Sequence, residues 1–165
     1  MMGKTIFTQM PEQKKILVER EFAGSLNAIW DAWTIPEILD QWWAPLPYKA
    51  ITKMQDFTEG GRWFYYMLGP EGDRHYCIVD YKTINHLISF SGTDAFADEE
   101  GNKNNVINSN LWHNSFSETG NGTRVMVEIN FQSEADLKQM VEMGFVEGFT
   151  MAHDNLDKLL LSKTN

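Results

Sequence analysis

Apolar residues near the C-terminus recur every three or four positions: Leu137, Val141, Phe145, Phe149, Ala152, Leu156 and Leu160. That is the helical period, and no proline interrupts it, so the pattern predicts one helix over residues 134–161, on the order of 40 Å long. Ser133, with Asp136 three residues on, supplies a cap at its start. Gly144 and Gly148 sit mid-helix, where each costs about 1 kcal/mol relative to alanine. They mark either a close packing contact or a local bend. A stripe of this length needs a partner surface, and the rest of the chain must provide it.

Ahead of the helix the period is two. Residues 15–22 alternate Ile16, Val18, Arg20, Phe22 against Leu17, Glu19, Glu21, which predicts a strand. Gly24-Ser25 ends it, and Ser25 caps a short helix carrying Leu26, Ile29, Trp30 and Trp33. Pro36 opens a second short helix with Ile38, Leu39, Trp42 and Trp43, closed by Pro45. Strands follow over 48–57, 62–68, 74–84, 87–96, 110–117 and 123–131, with turns at Gly60-Gly61, Gly69-Pro70-Glu71-Gly72, Asn85-His86 and Thr119-Gly120-Asn121-Gly122. Residues 98–108 are polar and aperiodic, a loop, and residues 1–13 read as a flexible arm before one domain over 14–165. The order predicts an α+β fold: a curved antiparallel sheet of about six to seven strands, two short helices after the first strand, and the long helix in the concave side.

Composition narrows the function. A net charge of -9 argues against a nucleic-acid groove and against an anionic membrane surface. No run approaches membrane length, no signal peptide is recognisable, and the single cysteine, Cys77, fits a reducing compartment, so a cytoplasmic location is expected. Six tryptophans, ten phenylalanines and five tyrosines are many for 165 residues, and aromatics line pockets as well as cores.

No motif for covalent catalysis appears: there is no Gly-x-Ser-x-Gly, and Cys77 stands alone in a strand. His75, His86, His113 and His153 lack metal-ligand spacing, and Gly60-Gly61 is a turn rather than a phosphate cradle, so no metal and no cofactor is expected. Asp98, Glu99 and Glu100 read as a solvated acidic tip. Asn114 interrupts the row Trp112, Asn114, Phe116, and a buried amide there needs partners from backbone, water or a ligand.

The stretches FAGSLNAIWDAWTIPEILDQWWAP, EGGRWFYYMLGPEG and SETGNGTRVMVEINF resemble the START-like helix-grip superfamily. Within it the chain is similar to the family named for the activator of heat-shock-protein-90 ATPase, in its single-domain bacterial form. Ala32-Trp33-Thr34, Pro36-Glu37, Trp42-Trp43-Ala44-Pro45, Gly60-Gly61 and Gly148-Phe149 carry the likeness, which spans about residues 14–162. It implies a sheet gripping the C-terminal helix over a cavity that binds small apolar molecules, lipids among them. It also implies that Trp63, Tyr65 and Met67 point inward at Phe145 and Phe149, and Lys82-Thr83-Ile84 departs from the family pattern in a way that would reshape the cavity wall. Residues 1–13 are too few for the extra domain of the family's eukaryotic co-chaperones.

The expected ligand site is Trp33, Trp43, Trp63, Tyr65, Met67, Trp112, Asn114, Phe116, Phe145, Phe149 and His153, taking a small hydrophobic or aromatic molecule without transforming it. Plain core packing is the competing reading for each aromatic. An enzyme of the cyclase or hydratase kind would use the same cavity with His153 or Tyr65 as general acid or base. An interaction module or homodimer would instead use outward aromatics such as Phe64 and Tyr66.

Overall fold

The row Ile16, Val18, Arg20, Phe22 is the buried face of a strand over Lys15–Phe22, while its alternate residues keep partial exposure. The computed structural model describes residues 3–105 and 107–163, and a further strand precedes this one. Strand β1 (Ile6–Met10) pairs antiparallel with β2 (Lys15–Phe22) from Ile6↔Glu19 to Met10↔Lys15. The flexible arm expected over residues 1–13 is thereby corrected: a strand and a short 3-10 turn at Pro11–Gln13 occupy most of it. The turn resolves at Lys14, which takes a left-handed φ of 56°. Its polar composition suits an edge strand with one apolar anchor, and Phe7 is that anchor, its ring edge-on to Phe145 at 5.9 Å. Met1, Met2 and the last two residues of the expected domain lie outside the described residues.

Helix α1 (Leu26–Thr34) starts where expected, the Ser25 hydroxyl accepting from the Ala28 N–H at 3.1 Å. Helix α2 (Pro36–Trp42) follows after a single extended residue, Ile35, because a residue before proline avoids the helical region. The Trp42 indole N–H donates to the Ala32 carbonyl at 2.8 Å and ties the two helices together.

The remaining strands are β3 (Lys49–Gln55), β4 (Arg62–Leu68), β5 (Arg74–Asn85), β6 (Ser89–Ala97), β7 (Lys103–Asn104), β8 (Leu111–Glu118) and β9 (Thr123–Asn130). All pairings are antiparallel, in the order β1-β2-β9-β8-β6-β5-β4-β3, with β7 added on β6. The architecture is the expected α+β helix grip. Among the described residues the sheet has nine strands rather than six or seven: β1 comes from the supposed arm, and β7 from the supposed loop over 98–108, in which Val106 lies outside the described residues.

The long C-terminal helix is two helices, a second correction. α3 (Glu134–Glu142) begins at Ser133, whose hydroxyl accepts from the Asp136 N–H at 3.1 Å. It stops at Met143, and Gly144 takes φ +92°, a conformation side chains resist. α4 (Phe145–Lys163) then runs under the sheet and buries Phe149, Ala152, His153 and Leu156. The Asn155 amide donates to the carbonyls of Trp42 and Ala44, docking α4 on α2. Among the described residues no helix is long and apolar enough to cross a membrane.

Candidate functional site

A cavity of about 320 Å³ lies where α3 meets α4, over the inner face of β4, β5, β6 and β8. The break at Gly144 makes its helical wall from two directions: Gln139, Met140 and Met143 come from α3 and its end, Phe145, Gly148 and Phe149 from α4. Gly148 lacks a side chain just where a Cβ would stand 3.8 Å from Pro45, leaving the wall open. Of the two glycines, Gly144 is the bend, while Gly148 marks no tight packing contact and leaves space beside the helix.

The sheet side of the cavity presents Tyr65, Met67, Cys77, Phe96 and Trp112, and Trp43 closes its inner end. Trp43 is packed edge-on against Trp63 and Phe149 at 5.6 and 5.8 Å, and its N–H donates to the Tyr65 hydroxyl at 2.9 Å. Trp63 stacks on Tyr65 at 4.0 Å because alternate residues of one strand share a face. Beyond these rings a smaller void of about 90 Å³ is lined by Trp33, Trp63 and Asn114, and it shares Trp43, Tyr65, Asp94 and Trp112 with the larger one.

The expected site residues therefore separate. Trp43, Tyr65, Met67, Trp112, Phe145 and Phe149 come together around the large cavity, and Trp33, Trp63 and Asn114 around the small one. Phe116 and His153 line neither. Phe116 is packed against Trp30 and Phe90, further along the same inward row. His153 is 1% exposed behind Phe149, with ring centroids 4.2 Å apart. Its Nδ1 is hydrogen-bonded to the Thr5 hydroxyl at 2.8 Å, and Thr5 in turn accepts from Arg20. Burial, and then the Arg20 charge, push His153 down from 6.5 to about 3, so the ring is neutral. Arg20, the charged member of an otherwise apolar row, is itself buried and pairs with Asp154 and Asp157 of α4.

Asp94 and Asn110 are among the polar wall residues that lie outside the expected site. Asp94 on β6 accepts from the backbone N–H of Asn110 at 2.8 Å and from the Trp112 indole N–H at 2.9 Å. Burial raises its pKa above the ordinary carboxylate value, and these two donors partly oppose the rise. Asn110, 4% exposed, leaves its Oδ1 buried without a partner, as does Asn114 in the smaller void. The signal was in the pattern: Asp94 shares the inward parity of Phe90 and Phe96, and Asn110 begins the row that Asn114 interrupts. Burial also pushes the Cys77 thiol up to about 12 and the Tyr65 hydroxyl well above 10, so both carry their protons at neutral pH.

Two other expectations are corrected. Phe64 is 8% exposed, lying beneath Gly101 and against Tyr76, so it offers no outward surface. Lys82 and Thr83 fall at a register shift between β5 and β6, where Thr83 bonds Ser91, and neither reaches a cavity. Among the described residues no group of three or more His, Cys, Asp or Glu side chains is placed to hold a metal ion.

An antiparallel sheet wrapped over the C-terminal helices α3 and α4, with an aromatic-walled cavity between them, defines a protein of the helix-grip class. Residues 23–161 match the family described as activator of Hsp90 ATPase homolog 1-like protein, and the chain belongs to it. Its fold is similar to the crystal structure of a Mycobacterium smegmatis protein, at 28% identity over 96% of this chain and 98% of that one, with a TM-score of 0.88. It is similar also to the solution structures of an Arthrobacter aurescens protein (28% identity, 95% and 91% covered, TM-score 0.89) and a Staphylococcus epidermidis protein (26%, 95% and 94%, 0.84). Comparison with functionally curated proteins found no match.

Proposed function

We propose that the protein binds a small hydrophobic or aromatic molecule in the cavity between the sheet and helices α3 and α4. The observation that carries this is the cavity itself. About 320 Å³ of space, walled by Trp43, Trp112, Phe145 and Phe149, persists in a chain whose aromatic content would suffice to fill it. Close packing is the norm for interiors, so unfilled apolar space of this size favours a ligand pocket over a plain core. Covering about 200 Å² of apolar ligand surface would contribute roughly 5 kcal/mol before association costs.

Acid–base catalysis finds less support at His153 and Tyr65. His153 faces neither cavity and stays neutral down to about pH 3, and Tyr65 holds its proton well beyond neutrality. The test is calorimetric titration with a panel of flat aromatics, flavonoids and fatty acids, against the intact protein and Gly148→Leu, which places a side chain in the cavity wall. Binding by at least one apolar compound, weakened tenfold or more in the variant, is expected. No binding by any of them, or affinities indifferent to Gly148→Leu, overturns the reading.

A further inference from the structure

We infer that the cavity selects an aromatic-bodied molecule carrying a protonated amine, and discriminates against carboxylates, fatty acids included. This deepens the function just proposed and rests on it.

The hydrogen-bonding groups and charges of the wall are one-sided. Among the described residues lining the large cavity there is no lysine, arginine or histidine. Its two indole donors are already committed, Trp43 to the Tyr65 hydroxyl and Trp112 to Asp94. Apart from the Tyr65 hydroxyl and the Asn110 and Gln139 amides, what the wall offers to an incoming molecule is acceptor oxygen, and no group in it is cationic. The Asp94 carboxylate is one source, held in place by two N–H donors and still bordering both voids. Asn110 also lines the wall, its Oδ1 buried without a partner on a residue that is 4% exposed. In the adjoining small void the Asn114 Oδ1 repeats the situation. At the outer end Asp136 adds a second carboxylate, which accepts from the Asn108 amide at 3.0 Å.

A buried carboxylate with no cation beside it is costly, so the molecule that fits this space best brings donors and positive charge with it. A carboxylate ligand would bring two more acceptors and a negative charge beside Asp94, with no cation to meet it. An ammonium group brings three donors and the opposite charge. The surrounding rings add to this preference, since the faces of Trp43 and Trp112 attract a cation. The Tyr65 hydroxyl accepts from Trp43, and its remaining lone pair suits the same head group.

A matched series with one apolar body isolates the head group: 1-naphthylmethylamine, 1-naphthylmethanol and 1-naphthoate, titrated at pH 7 by calorimetry. The amine is expected to bind at least tenfold more tightly than the carboxylate, with the alcohol between them. In Asp94→Asn, which keeps an oxygen to accept from Trp112, the amine's advantage shrinks to threefold or less while the alcohol is unaffected. Equal binding of all three, or a carboxylate preference, overturns the inference and leaves the cavity reading standing. Binding of the amine that survives Asp94→Asn unchanged also overturns it. Failure of all three to bind, together with the panel above, removes the binding function and this inference with it. The wild-type comparison alone decides the matter should the variant not fold.

Discussion

His153 shows how a residue's neighbours set its role. It shares helix α4 with Phe149, yet the turn that separates them takes it from the cavity wall to a packed position against Phe22, Trp33 and Phe149. The Arg20 side chain supplies the polar surroundings, donating to Thr5, whose hydroxyl meets the His153 Nδ1. Because the folded ring resists protonation until about pH 3 while an unfolded histidine binds a proton near 6.5, the unfolded state carries the extra proton between those values. Stability contributed by the neutral ring is thus full above 6.5 and drains away as pH falls toward 3. Urea unfolding at pH 7 and pH 5 should show a loss for the wild type that exceeds the loss for His153→Gln by about 2 kcal/mol. Equal losses in the two proteins would contradict a buried neutral ring. Sequence alone placed His153 near the stripe's edge and could not say which side of Phe149 it served, because that depends on Thr5, almost 150 residues away. Asp94 and Asn110 were legible in principle, each a polar residue in an inward row. Gly92 breaks the row around Asp94, and Asn110 stands one residue ahead of β8, so the row pattern is weak at both positions.

At the level of elements, the C-terminal pattern carried the right period and the wrong continuity. A stripe of apolar residues survives a two-residue interruption, so periodicity alone could not see the joint between α3 and α4. The joint depends on a backbone angle at Gly144, and only the glycine's presence hinted at it. The two glycines should respond oppositely to alanine. At Gly144 a Cβ meets open space, its nearest neighbour 4.0 Å away, but φ +92° penalises any side chain, so Gly144→Ala should lose about 1 kcal/mol. At Gly148 the backbone is helical and a Cβ would make an ordinary contact with Pro45, so Gly148→Ala should gain up to about 1 kcal/mol. Thermal unfolding of the pair decides it, and shifts of the same sign would refute the joint. The strand β1 was hidden for the opposite reason: an edge strand anchored by Phe7 alone has too little apolar periodicity to register.

Across the whole molecule, the packing divides the aromatics into three sets. Trp30, Phe90 and Phe116 fill one end of the sheet, Trp33 and Trp42 seat helices α1 and α2, and Trp43, Trp112 and Phe149 stand around open space. Composition revealed the surplus but not the division, since the same residue types serve all three sets. The alternation of β9 and the tryptophan-rich helices were enough to recover the helix-grip plan, which depends on period and order. The cavity depends on volumes left unfilled, and no pattern of residue types encodes those. The tryptophans themselves supply the test. In the ¹H–¹⁵N spectrum each of the six contributes one indole N–H resonance. An aromatic probe such as 1-naphthylmethanol should move the signals of Trp43 and Trp112, whose rings border the cavity, and leave that of Trp42, bonded to the Ala32 carbonyl, in place. A spectrum in which neither cavity indole responds to any apolar probe, or in which all six move alike, would contradict a ligand site between the sheet and the C-terminal helices.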